Sequence, residues 1–197
     1  MDKTVITGQE VRKKLTEGVK NLVQPVKMTL GAKGRLVGIF DSLKGLHVTK
    51  DGYTIAKNYK EDGDKARAVA IEMTQQAINN TNSTVGDATT TTAIMCEVLI
   101  EKGLRLVDQG VNPLKIKEGM DKGLAFVKDK IEKMSIPVKD KIEKIATISG
   151  NNRSDIGAFI KRAFDVAGKH ENSSIKVFET TDEVTTVEEV NGYKIEK

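Results

Sequence analysis

The sequence predicts a mainly α-helical domain followed by a small α+β unit. Before Pro137, apolar residues recur every three or four positions over several long segments, which is typical of amphipathic helices. Strand-like runs are short and flank turn-forming residues, at 36–49 and again at 174–192. With 197 residues, the chain is long enough to bury a core in one or two domains.

The composition argues against several classes of protein. The net charge of +4 comes from basic residues spread along the chain, and aromatic residues make up 4% with no tryptophan. Stacking platforms are therefore scarce, and we expect no nucleic-acid partner. No apolar run approaches the ~20 residues that span a bilayer, and the N-terminus lacks a signal-peptide pattern. We therefore expect a cytoplasmic protein without membrane contact.

The first helix is predicted to begin at Thr7 or Gly8, after a short edge strand within residues 2–7. Its apolar residues fall on one face: Val11, Leu15, Val19, Leu22 and Val26. It ends near residues 28–35, where TLGAKG alone is typical of a helix C-cap followed by a basic turn. The runs Leu36–Ile39 and Leu46–Thr49 predict a hairpin, which is marginally stable unless it pairs with something else.

The segment TKDGYTIA, residues 49–56, allows two interpretations. Asp51 and Gly52 are favoured turn residues. Alternatively, Asp51 faces a phosphate site as a water-positioning or general-base carboxylate. A helix is predicted from Asp64, and the polar run NNTNST comes after it. The residues predicted to face inward are Ala66, Val69, Ala70, Met73, Ala77 and Ile78.

Two further helices are predicted before Pro137. One carries Ile94, Val98, Leu99 and Ile100 and continues to about Gly110. The next begins at Asn112-Pro113, with asparagine as cap and proline at the first helical position. Its apolar positions recur at helical spacing: Ile116, Met120, Leu124, Val127, Ile131 and Met134. Such methionines are core filler far more often than a functional stripe.

Beyond Pro137 we expect short helices at 140–148 and 154–168, joined by the linker SGNN, and then strands at 174–178 and 184–190. The chain stops as another strand begins, which favours a fragment or pairing in trans. The two histidines lie without a cysteine or carboxylate cluster, so a metal site built on them is not predicted. Cys96 lies in an apolar run and fits a buried small hydrophobe.

The stretch STVGDATTTTA, residues 83–93, is the least ordinary in the chain. Four threonines in a row cost on the order of 2 kcal/mol of helix propensity, and a helix start needs only one hydroxyl cap. The extra threonines fit a helix N-terminus that binds phosphate. Asp87 would then hold a magnesium ion between its carboxylate and the phosphate. A polar loop ending in a redundant threonine cap fits equally well.

Three motifs taken together favour the phosphate-binding interpretation over the polar loop. TLGAKGR at 29–35, TKDG at 49–52 and GDATTTTA at 86–93, in this order and at these separations, resemble the ATP-binding half of a group I chaperonin of the GroEL type. GVNPLKIKEGMDKG and TISGNN further along agree, and Arg35 resembles the bacterial group. The likeness runs from near the start to about residue 192. It implies the N-terminal portion only: an incomplete multihelical equatorial domain to residue 133, a first intermediate hinge segment at 134–188, and the start of an apical domain at 189–197.

The resemblance also implies a set of site residues. Asp51 would help to orient the attacking water, and Asp87 would hold magnesium. A potassium ion would lie near Thr29 and Thr90. The residues implied to bind ATP and its phosphates are Thr29, Leu30, Gly31, Ala32, Lys50, Gly52, Gly86, Asp87, Ala88, Thr89, Thr90 and Thr91, with Ile148 and Ser149 closing over the nucleotide from the hinge.

Two residues depart from the family pattern. The family usually has proline where Ala32 stands and glycine where Ala88 stands. Ala32 is expected to loosen the turn. If the site needs a left-handed backbone at Ala88, alanine costs roughly 1–2 kcal/mol there.

The implied function is that of an ATP-dependent chaperonin that hydrolyses ATP to drive protein folding. Its implied partners are like subunits in a homo-oligomeric ring, non-native polypeptides and a lid co-chaperonin of the GroES type. The hairpin at 36–49 and the N-terminal strand would pair with a neighbouring subunit. This chain alone is expected to be inactive, because the family's other catalytic carboxylate and its adenine contacts come from a later segment. The alternatives are a naturally short assembly or binding module without ATPase activity, and an unrelated phosphate-binding domain.

Overall fold

The computed structural model describes residues 5, 7–31, 33–41, 45–61, 63–168, 174–181, 184–190 and 192. These residues are mainly helical, as the sequence predicts. The elements in chain order are α1 (Gly8–Lys27), β1 (Val37–Asp41), β2 (Gly45–Thr49), α2 (Gly52–Asn58), α3 (Lys65–Val85), α4 (Thr89–Asp108), α5 (Pro113–Met134), α6 (Ile142–Ser149) and α7 (Ser154–Ala167), with a 3-10 turn at Lys139–Lys141.

The chain divides into two compact units, Met1–Val127 and Lys128–Lys197. The division falls inside α5, close to the predicted boundary at residue 133, which stays a prediction. None of the described helices is long and apolar enough to cross a membrane.

The core of the first unit lies around the C-terminal half of α1, which packs against α2, α3 and α4. The predicted apolar face of α1 contributes Val19, Leu22 and Val26 to it. The buried apolar residues are Val19, Leu22, Val23, Val26, Ile55, Ala56, Ala70, Ile71, Ile78 and Ala93. Because α1 ends beside the starts of α2 and α4, this core fixes the relative positions of three chain segments that are far apart in sequence.

Aspartate and asparagine caps begin three of the helices. Asp51 caps α2 and Asp64 caps α3, each through side-chain oxygens that accept two backbone N–H groups. Asn112 Oδ1 accepts from Leu114 N at 2.8 Å at the start of α5. The starts predicted at Asp64 and Asn112 are confirmed, and such caps contribute about 1 kcal/mol in typical hosts.

The β1–β2 hairpin is confirmed as an antiparallel pair, in the register Val37↔Thr49 to Asp41↔Gly45. Val37 and Ile39 pack against the core, whereas Phe40, Leu46 and Val48 are exposed. Among the described residues the two strands pair only with each other. The predicted edge strand at 2–7 lies largely outside the described residues.

Two helical stretches differ from the prediction. Residues 52–58 form α2, because Asp51 caps a short helix where a turn was the simpler interpretation. The polar run NNTNST is helical and belongs to α3. Its hydroxyls lie within hydrogen-bond distance of carbonyls one turn back, Thr81 Oγ1 at 3.1 Å from Ala77 O and Ser83 Oγ at 3.0 Å from Asn79 O. Packing of α3 against α1 and α4 outweighs the weak helix propensity of this run.

Three predictions about buried faces and strands are wrong in this structure. No residue of α5 is buried, and Val69 and Met73 of α3 are exposed, because a helix face is buried only where another element covers it. On α3 the core face is instead Ala70, Ile71, Thr74 and Ile78. Residues 174–178 and 184–190 do not adopt strand structure.

In the second unit, α6 and α7 pack against each other. Gly157 allows this approach, because a Cβ atom there would lie 2.0 Å from Thr147 Oγ1. The linker residues Asn151 and Asn152 both adopt left-handed conformations, with φ of 57° and 63°. Asn152 N donates to Thr147 O at 2.8 Å, which ends α6 and turns the chain into α7.

Candidate functional site

A cavity of about 220 Å³ lies in the first unit, where three chain segments meet. The segments are the loop after α1, the start of α2 and the start of α4. The lining residues are Thr29, Leu30, Gly31, Lys50, Asp51, Gly52, Asp87, Ala88, Thr89, Thr90 and Thr91.

The first segment is a tight loop after α1. Thr29 is buried, and its hydroxyl donates to Val26 O at 2.7 Å. Arg35 N donates to Met28 O at 2.8 Å, which closes the loop on itself. Gly34 makes this closure possible, since a Cβ atom at that position would lie 2.1 Å from Thr29 O. The two glycines of TLGAKG thus shape a wall of the cavity as well as ending a helix.

The second segment is the start of α2, held by the Asp51 side chain. Asp51 Oδ2 accepts from Thr54 N at 2.9 Å and from Thr54 Oγ1 at 2.5 Å. Asp51 Oδ1 accepts from Tyr53 N at 3.3 Å. Asp51 N in turn donates to Thr49 Oγ1 at 3.0 Å. The carboxylate is therefore fixed in direction, and Oδ1, with one long hydrogen bond, keeps capacity to accept another donor.

The starts of α2 and α4 approach closely at a single point. Gly52 is buried, and a Cβ atom there would lie 2.1 Å from Thr90 Oγ1 and 3.2 Å from Val26 Cγ1. A larger residue would require a shift of the Thr90 side chain or of one of the two helix starts. Gly52 thereby brings the cap residue Asp51 and the threonines of α4 to one cavity.

The third segment is the N-terminus of α4, entered through a strained residue. Ala88 has φ 62° and ψ 17°, in the left-handed region, and it is the N-cap. Its N–H donates to Asp87 Oδ1 at 2.6 Å. The first backbone hydrogen bond of α4 runs from Thr92 N to Ala88 O, at 2.9 Å. The N–H groups of the preceding turn have no intrahelical acceptor, which makes this end of α4 suited to an anion.

The fourth threonine of the run has a different environment. Thr92 does not line the cavity, and its hydroxyl donates to Ala88 O at 3.1 Å. The same hydroxyl lies 3.1 Å from Thr81 Oγ1 on α3. Three of the four threonines therefore line the cavity, and the fourth, Thr92, joins α4 to α3.

Ion pairs tie α1 to α4 behind the cavity. Lys27 Nζ lies 3.2 and 3.3 Å from the two carboxylate oxygens of Glu97, whose side chain is 11% exposed. Lys20–Glu101 and Arg12–Asp108 continue the series toward the other end of the two helices. This arrangement fixes the loop after α1 relative to the N-terminus of α4.

The lining carries one lysine and two aspartates, Lys50, Asp51 and Asp87. Among the described residues, no group of three or more histidine, cysteine, aspartate or glutamate side chains could hold a metal ion. A bound cation would need ligands from a bound molecule as well as from the protein. Magnesium fits this donor set, because it is commonly held by one or two carboxylates together with phosphate oxygens.

Eleven of the residues predicted from the sequence come together in this cavity. Gly86 lies next to it as the left-handed C-cap of α3, with φ 73°. Ile148 and Ser149 end α6 in the second unit, so their part in a site stays a prediction. Ala32 lies outside the described residues. Four residues that position the lining were not among the predicted site residues. Gly34 and Thr92 lie within the motifs TLGAKGR and GDATTTTA, whereas Thr54 and Thr81 had no signal in the sequence.

The comparisons with known proteins agree with the geometry. The model of the TCP-1/cpn60 chaperonin family matches residues 22–197. The chain belongs to the TCP-1/cpn60 chaperonin family. A crystal structure of a group III chaperonin in the open state is similar to this chain, with a TM-score of 0.66 and 27% sequence identity. The match covers 79% of this chain and 31% of that one, so the chain spans about a third of its length. The narrower assignment to group I stays a prediction.

Proposed function

We propose that the cavity binds the phosphates of ATP and that the chain serves an ATP-dependent chaperonin that assists protein folding. The observation that carries this proposal is the convergence of TLG, KDG and DATTT, three separated motifs, on one cavity beside an open helix N-terminus. Membership of the TCP-1/cpn60 chaperonin family supports the chaperonin part of the proposal.

The size of the cavity supports a phosphate site. About 220 Å³ is below the 300–1,000 Å³ typical of pockets that enclose a whole small molecule. Its walls are backbone groups and short hydroxyl side chains, and Leu30 is the one large apolar residue of the lining. We therefore assign the triphosphate to this cavity and the base to a surface beyond it.

The N-terminal turn of α4 would hold the phosphate oxygens. The N–H groups and hydroxyls of Thr89, Thr90 and Thr91 offer donors there, and the helix dipole adds partial positive charge. Lys50, which precedes the cap of α2, also lines the cavity and would contribute through its backbone. Asp87 would hold Mg²⁺ against the phosphates, and Thr29 and Thr90 would lie near a K⁺ ion. Magnesium bound there neutralises charge that develops on the phosphates during transfer.

Asp51 would orient the water that attacks the terminal phosphate. Its carboxylate is held by Tyr53 N and by both donor groups of Thr54, so its direction does not depend on a ligand. Oδ1 remains available to accept a hydrogen bond from that water. The same residue thus combines a structural cap with the proposed catalytic role, which makes the choice of substitution important.

Hydrolysis would drive movement of the second unit, with Ile148 and Ser149 closing over the nucleotide. We assign the protein to a homo-oligomeric ring of like subunits acting on non-native polypeptides, with a GroES-type lid as a further partner and a cytoplasmic location. The exposed Phe40, Leu46 and Val48 of the hairpin support contact with a neighbouring subunit. The basic residue Arg35 and its motif favour group I.

The test compares ATP hydrolysis by the full-length protein with that of Asp51→Asn. Asparagine caps helices about as well as aspartate, so α2 should persist while the charge is lost. We expect kcat to fall by about 10²-fold or more, with Mg–ATP binding changed less than about threefold. Asp64→Asn is the matched control, because it makes the same change at the cap of α3. Equal rates for wild type and Asp51→Asn would remove Asp51 from the mechanism.

A second comparison concerns the metal. Asp87→Asn should weaken binding of ATP in the presence of Mg²⁺ about tenfold or more and should weaken metal-free ATP binding much less. Unchanged Mg–ATP binding would remove Asp87 as the metal ligand and would favour an unrelated phosphate-binding function.

A further inference from the structure

Ala88 enters the phosphate-binding helix in a conformation that suits glycine. Both of its backbone polar groups are bonded: its N–H donates to Asp87 Oδ1 at 2.6 Å, and its carbonyl accepts from Thr92 N at 2.9 Å. The Thr92 hydroxyl adds a second bond to that carbonyl, at 3.1 Å. A non-glycine residue persists in the left-handed region only where its surroundings over-determine it. The Thr92 hydroxyl is one such contact, and it is made at the carbonyl of Ala88 itself.

Thr92 is itself held from the neighbouring helix. Its hydroxyl lies 3.1 Å from Thr81 Oγ1. Each hydroxyl carries one proton, so when Thr92 donates to Ala88 O, Thr81 Oγ1 is the donor to Thr92. The alternative bond from Thr81 Oγ1 to Ala77 O, at 3.1 Å, is then not made. α3 packs against both α1 and α4. The carbonyl of Ala88 is therefore connected to the body of the unit through two threonine hydroxyls.

We propose that Thr81 and Thr92 are positioning residues that hold Ala88 left-handed and so set the phosphate-binding turn of α4. This inference rests on the proposed nucleotide site and names two residues outside its lining. Neither hydroxyl touches the cavity. They would therefore affect a bound ligand indirectly. The conformation of Ala88 sets the position of the next turn, whose N–H groups belong to Thr89, Thr90 and Thr91.

The proposal predicts a specific dependence on the residue at position 88. Glycine adopts positive φ without steric cost and should not require the hydroxyl pair. Loss of the Thr92 hydroxyl should therefore weaken ligand binding when residue 88 is alanine and should change binding little after Ala88→Gly. A threonine that merely stabilised α4 would show the same effect in both backgrounds.

The experiment is a double-mutant cycle in the full-length protein, with binding of a non-hydrolysable ATP analogue plus Mg²⁺ measured by calorimetry. Thr92→Val keeps the branched shape and removes the hydroxyl. We expect about tenfold weaker binding for Thr92→Val in the Ala88 background and less than about twofold in the Ala88→Gly background. Thr92→Ser restores the hydroxyl and should remain within about twofold of wild type.

Two further variants locate the effect. Thr81→Val changes only α3, and we expect it to weaken binding in the same background-dependent way. Thr16→Val removes a comparable hydroxyl that donates to Arg12 O at 2.9 Å on α1, and it should leave binding unchanged. Equal losses for Thr92→Val in the two backgrounds, or no loss in either, would overturn the inference.

Hydrogen exchange separates this inference from the proposed function. The amide of Thr92 should exchange faster in Thr92→Val than in wild type, and the difference should disappear after Ala88→Gly. Absence of analogue binding to wild type would overturn the proposed function and the assigned effect on affinity. If this amide exchanges at the same rate in Thr92→Val as in wild type, the positioning role of the two hydroxyls is overturned, even if wild type binds the analogue well.

Discussion

Ala88 carries backbone strain at the proposed site. Its φ of 62° lies in the region where the Cβ of an L-residue crowds the following carbonyl. Replacement by glycine removes this crowding and also gives the unfolded chain more freedom, so the two effects partly offset.

We predict that Ala88→Gly raises the free energy of unfolding by about 1 kcal/mol. Urea or thermal unfolding of the two proteins measures the difference. Ala66→Gly, at the start of α3, is the control and should instead lower stability, since that residue is helical. A destabilised Ala88→Gly protein would show that the left-handed conformation is not adopted in solution.

Gly52 occupies the tightest contact between the two helix starts. We predict that Gly52→Ala lowers the free energy of unfolding by about 1–3 kcal/mol, because the new Cβ would lie 2.1 Å from Thr90 Oγ1. Nucleotide binding should weaken as well, since Thr90 lines the cavity.

The matched control for Gly52→Ala is Gly119→Ala on α5. A Cβ at Gly119 meets nothing within 4 Å, so this change should be neutral or stabilising by up to about 1 kcal/mol. Similar effects of the two substitutions would contradict the close approach of α2 and α4.

At the scale of the element, the start of α3 joins a cap to an ion pair. Asp64 accepts from Arg67 N at 3.0 Å and from Ala66 N at 2.9 Å, and Lys14 Nζ lies 3.3 Å from its other oxygen. The hydrogen bond from Arg67 N, with smaller help from Lys14, lowers the pKa of Asp64 below its ordinary value of 3.8. The carboxylate form is therefore favoured in the folded state.

This shift predicts a pH dependence with a definite sign. The stabilisation is fully present above the ordinary pKa of 3.8 and is lost as the pH falls through the lower pKa of the folded state. The stability advantage of wild type over Asp64→Asn should therefore be larger at neutral pH than in acid. Unfolding curves across that range measure it. Asp64→Ala, which also loses the cap, should be the less stable variant at every pH, and a constant wild-type advantage would exclude the charge effect.

The helices that could be predicted from sequence are those whose caps and apolar periods agree. Asp64 and Asn112 mark two starts, and the predicted face of α1 forms the centre of the core. α2 and the last turns of α3 were not predicted, because α2 depends on one capping aspartate and NNTNST is helical through packing against α1 and α4. Strands at 174–178 and 184–190 were predicted from alternating or clustered apolar residues, but a local pattern of this kind does not establish the pairing that a strand requires.

At the scale of the whole molecule, the lining of the site was more predictable than its support. Phosphate chemistry restricts residue types to glycines, hydroxyls and carboxylates at helix starts, and these are visible as motifs. A residue such as Thr81 on α3 acts through its contact with another helix, at Thr92 of α4. Such contacts leave no pattern in the sequence.

The apolar stripe of α5 gives the last prediction. Leu124 and Ile131 are 58% and 61% exposed, on a helix with no buried residue. Patches of this kind promote association when they face water. We expect the 197-residue chain, purified alone, to self-associate in sedimentation velocity and to bind a hydrophobic dye. The double variant Leu124→Glu/Ile131→Glu should reduce both, whereas the control Lys122→Glu/Lys130→Glu adds the same two acidic groups to α5 and leaves the apolar stripe intact. A monodisperse wild-type monomer that does not bind dye would show that this stripe is covered within the chain, and it would favour the short binding module over a segment that needs further chain to cover it.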